Sequence, residues 1–253
     1  MTMRWKWLRP AAFIAVLLLC WEIAVRHQKI NLMPGPLAVV GGIAELAQRG
    51  LLFRYIVASL FRVTWGFLVA ALLAIPFGLM VGWHRRAEWA INPLLQILRP
   101  ISPLAWIPIS ILWFGVGDLA AVYLIFLASF LPLMVTAINA VGGIAPVHLN
   151  AGRNFGLSSS QLIYRVLYPA VLPQLIVGLR ITLGIAWLVV VAAEMIAVNS
   201  GLGFLIVDAR NAGNRYDLVV AGMVMIGVIG LILDNGMRSL EKTRALQWGY
   251  AEE

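Results

Sequence analysis

The chain has 253 residues, of which 62% are hydrophobic and 12% are charged, and its formal net charge is +8. This composition lies well outside the range of soluble globular domains, and several apolar runs reach the roughly 20 residues needed to cross a hydrocarbon core. The sequence therefore predicts an all-α integral membrane protein. Its cations lie in short clusters between apolar runs, which indicates lipid headgroups and topology rather than a nucleic-acid partner.

The N-terminus carries a basic flank followed by an apolar stretch at 11–25, as a secretory signal peptide does. No small-x-small cleavage site follows the stretch, because bulky Trp21 and charged Glu22 stand where one is needed. We expect an uncleaved first membrane span, with Glu22 as an interfacial anchor near its outer end.

Six membrane spans are predicted, and they form a single transmembrane domain over residues 1–253. Their approximate limits are 11–25, 54–83, 91–114, 119–141, 173–198 and 217–236. The third span is the least regular, because it is interrupted by prolines that a helix interior tolerates poorly, at Pro93, Pro100, Pro103 and Pro108.

The distribution of Lys and Arg predicts the orientation of the spans. Eleven of these residues fall on the side of the N-terminus and seven, Arg62 among them, on the other side, while Arg180 lies inside the fifth span. We expect both termini and the loop at 146–168 to be cytoplasmic. Tryptophans near the span ends fit an aromatic belt at the interfaces: Trp5, Trp7, Trp83, Trp89 and Trp248.

The first external loop contains apolar residues at helical spacing, namely Leu37, Val40, Ile43 and Ala47. This pattern is compatible with a helix that lies along the membrane surface. A loop that packs on the spans is an equally good interpretation, and the residues alone do not separate the two.

Residues that would carry catalysis are missing from the expected patterns. The glycine-rich stretch SGLGFLIVD at 200–208 lacks the third glycine and the Lys-Ser/Thr pair of a phosphate loop, and we interpret it as an external turn. The acidic residues are dispersed, Cys20 stands alone, and the three histidines have no ligand spacing. These observations favour transport over an enzymatic function.

Residues 149–175, LNAGRNFGLSSSQLIYRVLYPAVLPQL, form a polar interruption between two apolar spans. Pro146 suits the first turn of a helix, and Gly156 suits its left-handed terminus. Ser158 and Gln161 form the S-x-x-Q capping box of a second helix. The loop is therefore predicted to be a helix, a tight glycine turn and a second helix.

Two prolines are predicted to limit the end of this loop, with Pro169 ending the second helix and Pro173 beginning the fifth span. The small residues Ala151 and Gly152 are expected at an exposed bend, where another protein could approach closely. The physical pattern alone leaves two interpretations equally open: a docking site for a partner, or an interfacial spacer.

The loop resembles the cytoplasmic signature of binding-protein-dependent ABC importer permeases, Glu-Ala-Ala-x-x-x-Gly followed by Pro. Here it reads NAGRNFG and then VLYP, so that Asn150, Ala151, Gly152, Gly156 and Pro169 take the five positions. Asn150 and Gly152 depart from the signature. The segments 98–118 and 178–197 are similar to permeases of nitrate, taurine, alkanesulfonate and bicarbonate importers, and the likeness covers roughly residues 55–240.

The resemblance implies a type I importer permease fold in a bacterial inner membrane. It also implies two permease copies, which we expect to be identical, two cytoplasmic ATP-binding subunits, and a periplasmic or lipid-anchored solute-binding protein. ATP and Mg²⁺ would be bound by the partner ATPase, so this chain is expected to have no cofactor and no enzymatic activity. The solute would be a small oxyanion (nitrate, taurine or another sulfonate, or bicarbonate), although the branch also contains permeases for other organic molecules.

By the same likeness, a coupling helix contacts the ATPase through residues near 149–157: Asn150, Ala151, Gly152, Arg153, Phe155 and Gly156. Within the fifth span, Arg180 and Glu194 are fourteen residues apart, about four turns and about 21 Å along one helix face, with Trp187 halfway. Our hypothesis is that this face lines the translocation path, because charges are costly in lipid. Alternatively, Arg180 reaches the interface and Glu194 pairs with another span.

A secondary transporter is the main alternative from another class. It would be expected to show internal repeats and broken helices, and only the prolines of the third span suggest either feature. A membrane enzyme is a third possibility that would require the dispersed acids to cluster in space.

Overall fold

The computed structural model describes residues 5–27 and 33–241, and every regular element in these ranges is helical, which confirms the all-α class. The elements in chain order are α1 (Trp5–Arg26), α2 (Pro36–Gln48), α3 (Leu51–Trp83), α4 (Arg85–Leu98), a 3-10 turn (Pro103–Trp106), α5 (Ile107–Phe114), α6 (Asp118–Gly142), α7 (Pro146–Asn154), α8 (Ser159–Leu162), a π-helical turn (Ile163–Leu167), α9 (Tyr168–Ala197), α10 (Leu202–Asn211) and α11 (Tyr216–Glu241).

Four helical segments in the described ranges are long and apolar enough to cross a membrane: α3, α6, the continuous segment Ser159–Ala197, and Tyr216–Ser239 within α11. A fifth candidate is the pair formed by α4 and the segment Pro103–Phe114, which is bent by 80°. The first predicted span falls within α1, but the side chains of residues 5–8, 10 and 11 are outside the described set. The crossing by α1 therefore stays a prediction, and Trp248 also lies outside the described residues.

The core of the bundle is the contact between α3 and α6, which depends on small residues every four positions along α3. Ala70 and Ala74 are fully buried, and a Cβ added at Gly66 or Gly78 would come within 2.7 Å of α6 side chains. Such a row lets two helix backbones approach closely, which is how helices associate when lipid supplies no hydrophobic driving force.

Helix α9 packs on α6, and Gly178 gives Thr136 of α6 the space that a larger side chain would fill. On the other side of α9, helices α10 and α11 pack together and are joined by α2. Val39 and Leu46 of α2 are buried against α10 and α11, among Leu205, Ala209 and Leu218.

Helix α2 shows that the first external loop has a feature of each interpretation, because it is a helix and it also packs on a span. The segment is a helix that packs on α11 through one face, while Leu37 and Val40 on the other face are 81% and 62% exposed. Arg215 fixes its position by donating hydrogen bonds to Glu45 (Nη2 to Oε2, 2.6 Å) and to Asp217 (Nη2 to Oδ2, 2.8 Å). The hydrogen bond that Glu45 accepts from Arg215 lowers the pKa of the Glu45 carboxyl below its ordinary value.

The third predicted span is two helices with a sharp break. Residues 99–102 separate α4 from a 3-10 turn that begins at Pro103, where Ser102 Oγ accepts a hydrogen bond from the backbone N–H of Leu104 at 3.3 Å. Proline at the start of a helix costs little, because the N–H that it lacks has no intrahelical partner there. Pro100 and Pro103 thus mark the position of the bend, whereas Pro93 lies inside α4 and Pro108 lies in the first turn of α5.

Candidate functional site

The polar loop has the two helices that its sequence predicts, and local signals define it. Helix α7 begins at Pro146, and Gly156 follows with φ +76°, the left-handed conformation expected of a C-terminal glycine. The turn is closed by hydrogen bonds from Gly156 N to Arg153 O (2.9 Å) and from Leu157 N to Gly152 O (3.1 Å).

The predicted capping box of the second helix is also confirmed. Ser158 Oγ accepts a hydrogen bond from Gln161 N at 3.4 Å, and Gln161 Oε1 accepts one from Ser158 N at 2.9 Å. These reciprocal bonds satisfy two backbone donors at the start of α8 and so fix the angle between the two short helices.

Five of the six residues assigned to the coupling helix are exposed: Asn150, Ala151, Arg153, Phe155 and Gly156. The Phe155 side chain is 87% exposed, so its aromatic ring is accessible to a partner. A Cβ at Gly156 would meet no atom within 4 Å, so this glycine is required by its backbone conformation and not by crowding.

Gly152 does not lie at an exposed bend, and that expectation is wrong. It is buried, and a Cβ there would come within 2.6 Å of Leu162 Cδ1 and 3.3 Å of Leu157 Cδ1. Gly152 therefore allows α7 to rest on the start of the second helix. This contact gives a reason within the chain for one of the two departures from the signature.

The roles assigned to Pro169 and Pro173 are also wrong. Helix continues without interruption from Ser159 to Ala197, with Pro169 in the first turn of α9 and Pro173 inside that helix. A π-helical turn at Ile163–Leu167 precedes Pro169. The wider turn accommodates a residue that cannot donate the usual backbone hydrogen bond, so the helix persists where a break was expected.

Arg180 of α9 is engaged by acidic residues of α11. It donates to both carboxylate oxygens of Asp234 (Nε to Oδ1, 2.7 Å; Nη2 to Oδ2, 3.0 Å) and to Glu241 (Nη1 to Oε2, 3.0 Å). Its side chain is 28% exposed. The planar guanidinium therefore ties two neighbouring helices together within one subunit.

Trp187 lies in the same contact between α9 and α11. Its side chain is buried, its Nε1 donates a hydrogen bond to Ile226 O at 3.1 Å, and Gly230 leaves room for its ring. Only a small cavity of about 40 Å³ remains between Trp187 and Arg180. This face of α9 is therefore directed into the subunit in the described structure.

Glu194 does not face an open path either, and the alternative of a pair with another span is what the structure shows. The side chain is fully buried, and its carboxylate accepts hydrogen bonds from Arg62 Nη1 (2.7 Å), Ser59 Oγ (2.9 Å) and Gly203 N (2.9 Å). A Cβ at Gly203 would come within 2.8 Å of Glu194 Cβ. The interpretation of 200–208 as a plain turn is also corrected, because α10 begins at Leu202.

Arg62, which sequence reasoning counted among the outer cations, joins four segments of the chain. Besides Glu194, it binds Asp118 at the start of α6 (Nε to Oδ1, 2.8 Å) and Ser200 O (Nη1, 2.7 Å), and its side chain is 2% exposed. The sequence does contain a signal for this buried network, because Arg62 lies inside the predicted second span and a charge in lipid needs a partner.

Comparison with solved structures defines the class of fold. The chain superposes on a permease-containing structure of the MetNI methionine ABC transporter with a TM-score of 0.67 and 17% identity, covering 76% of this chain and 95% of that one. A bacterial alginate ABC transporter gives a TM-score of 0.63 and 16% identity, covering 94% and 96%. The fold is that of a type I ABC importer permease.

Sequence comparison identifies the family. The family model described as "Binding-protein-dependent transport system inner membrane component" matches residues 74–245. The taurine transport system permease protein TauC of Escherichia coli is 32% identical, with 97% of this chain and 94% of TauC covered, and the nitrate import permease protein NrtB of a Synechocystis species is 35% identical, with 93% and 88% covered. The chain belongs to this family of ABC importer permeases, which makes it a multi-pass inner-membrane transport component.

Proposed function

We propose that the chain is the permease subunit of an ATP-driven importer and that two identical copies form the translocation path. A solute-binding protein would deliver the solute from outside, and two ATPase subunits would bind ATP and Mg²⁺ on the cytoplasmic side. Both termini would be cytoplasmic. Membership of a family of binding-protein-dependent components supports this proposal over a secondary transporter.

The observation that carries the proposal is the connection between the exposed loop and a membrane span. Helix α7 and Phe155 project to solvent, and Gly152 seats α7 on the start of the segment Ser159–Ala197, which continues through the whole fifth span. A displacement of the loop by a partner would therefore move a single helix of 39 residues. ATPase closure would be transmitted to the path through this helix.

The solute is proposed to be a small oxyanion. Relatives that carry a solute in their names include permeases for taurine, aliphatic sulfonates, nitrate and bicarbonate. All four solutes present anionic oxygens to the protein. Glu194 and Trp187 are buried within the subunit and therefore do not line the path. Their proposed role is to support the arrangement of the helices.

The test is ATP-dependent uptake in proteoliposomes that contain the chain, its ATPase and its binding protein. Phe155→Ala is expected to lower uptake by about tenfold or more, because it removes an exposed aromatic anchor of a docking surface. Phe53→Ala is the matched control, since Phe53 is 75% exposed at the start of α3, far along the chain from the loop. Equal uptake by both variants, or uptake without ATP, would contradict the proposal.

A further inference from the structure

Helix α4 carries a polar stripe in a position where lipid would not tolerate one. Glu88, Asn92, Gln96 and Arg99 are spaced by four, four and three residues, so they share one face of the helix and its C-terminal cap. Other faces expose Trp89, at 69%, and similarly apolar residues. Because polar groups in a membrane span face water or protein, this stripe is expected to face α6 and the space beside it rather than lipid.

Arg99 differs from Arg62 and Arg180, the two arginines that join the spans to one another. Arg62 and Arg180 each hold carboxylates at 2.7 Å, whereas no carboxylate lies within ion-pair distance of Arg99 in residues 5–27 and 33–241. Glu88 is eleven residues away, about 16 Å along the helix axis, and so does not neutralise it. The guanidinium is therefore available to an anion.

The position of Arg99 along the span is also distinctive. It follows the last residue of α4, at the break between the two helices of the bent pair. Helix α4 has 14 residues and is about 21 Å long, so if α4 runs along the membrane normal, Arg99 lies inside a hydrocarbon core of about 30 Å. Many secondary transporters bind their solutes at broken helices of this kind, where backbone and polar side chains line a cavity.

Two adjoining pockets meet at Arg99. One has a volume of about 280 Å³ and is lined by the polar stripe together with Asn139 of α6. The other has a volume of about 380 Å³ and is mostly apolar, with Trp106, Phe126 and Phe130 in its wall. Both run along α6, so that a polar half and an apolar half share a single cation at their junction.

We propose that this groove is the part of the translocation path that binds the solute, with the anionic oxygens at Arg99 and the amide of Asn139, and a short apolar group beside Trp106 and Phe130. The inference rests on the proposed function and names its substrate class: a small organic oxyanion such as an alkylsulfonate, rather than an inorganic one. The Arg99 guanidinium supplies donors only, and the amide NH₂ of Asn139 supplies further donors, which suits a sulfonate or carboxylate group. An inorganic oxyanion would use the polar half alone.

Protection of a nearby cysteine tests the site without ATP or a binding protein. The full-length chain in lipid nanodiscs carries Cys20→Ser, which removes its single cysteine, and Gln96→Cys, one turn from Arg99. The rate of labelling by N-ethylmaleimide is measured with increasing butane-1-sulfonate, with nitrate, and with chloride at equal ionic strength. Butane-1-sulfonate is expected to slow labelling at a lower concentration than nitrate, and chloride is expected to have no effect.

Adding Arg99→Gln is expected to raise the butane-1-sulfonate concentration for half-protection by roughly 10- to 100-fold, the effect of losing a charged hydrogen-bond donor. Arg86→Gln, at an exposed position of the same helix outside both pockets, is expected to leave it unchanged. Arg99→Lys keeps the charge and should weaken protection less than Arg99→Gln does. A smaller loss with lysine would show that the effect of glutamine comes from the lost charge and not from misfolding.

Absence of protection in the Gln96→Cys protein, or equal protection with Arg99→Gln, would overturn the proposed site. Equal potency of nitrate and butane-1-sulfonate would overturn the role of the apolar half. If uptake requires ATP and yet labelling is never protected, this inference fails and the proposed function stands. Protection without ATP-dependent uptake would support the binding site and contradict the proposed function.

Discussion

The exposed loop around α7 and the buried network around Arg62 are held together by different kinds of interaction. In the loop, the capping box of Ser158 and Gln161 joins residues three positions apart. In the network, Ser59 and Arg62 contact Glu194 across 135 and 132 positions, and all three side chains are buried. The loop is defined by its local sequence, whereas the network exists only once α3 and α9 have packed.

The loop and the buried network have different tasks within one chain. A surface defined locally keeps its shape while its exposed side chains remain available to a partner. A buried set of charges holds the spans together and is satisfied inside the subunit, so it offers nothing to a partner or a solute. Changes in the network should therefore affect stability first, and changes in the loop should affect coupling first.

The largest effect is expected from Arg62→Met, which leaves the Glu194 carboxylate buried without its cation. Removal of one member of a buried pair typically costs about 3–5 kcal/mol of stability. Unfolding of the purified protein in detergent would measure the loss. The double variant Arg62→Met with Glu194→Leu should recover much of it, because no unpaired charge then remains; a double variant as unstable as the single one would contradict the assignment.

A smaller effect, on coupling rather than on the spans, is expected from Gly156→Ala. A Cβ at φ +76° costs about 1–2 kcal/mol, so the turn after α7 should shift and ATP-dependent uptake should fall severalfold. Gly142→Ala is the control, since its added Cβ also meets no atom but its helical backbone accepts alanine. A drop in unfolding stability equal to that of Arg62→Met would argue against a local role for Gly156.

Arg180→Gln should cost less than Arg62→Met, although both arginines bind two acidic residues. Arg180 is 28% exposed and Asp234 is 46% exposed, so solvent screens this pair and its loss is expected to lower the stability much less than the loss of Arg62 does. The same unfolding measurement applies. A cost as large as that of Arg62→Met would show that exposure does not distinguish the two networks.

The smallest effect concerns pH at the contact between α2 and α11. The hydrogen bond from Arg215 lowers the pKa of Glu45 in the folded protein. The stability that this bond contributes is therefore complete above the pKa of Glu45 in the unfolded chain, about 4.3, and is lost as the pH falls through the pKa of the folded state. The stability difference between the wild type and Arg215→Gln should therefore shrink between pH 6 and pH 3. A stability difference that grows as the pH falls would contradict the predicted direction of this pH dependence.

Sequence reasoning succeeded where the physical cause is local. Pro146 at a helix start, Gly156 at a helix end and the Ser158 capping box each act within a few residues, and each has the predicted geometry. The apolar runs likewise predicted an all-α fold. The family resemblance, which matched whole segments, identified the class of protein that the comparisons show.

Sequence reasoning failed where the cause lies in packing. The burial of Gly152 depends on the direction in which Leu162 points, and the persistence of helix at Pro169 depends on a π-helical turn. Spacing alone placed Arg180, Trp187 and Glu194 on one face of α9, but it could not show that α3, α10 and α11 cover that face.

The central claim is that the loop at α7 contacts an ATPase, and photo-crosslinking tests it most directly. A benzophenone amino acid replaces Phe155 in one protein and Phe53 in another, two aromatic positions of similar exposure. Each is co-expressed with the ATPase subunit and irradiated. The account predicts a crosslink to the ATPase from position 155 and none from position 53; no crosslink from position 155, or equal crosslinks from both, would contradict it.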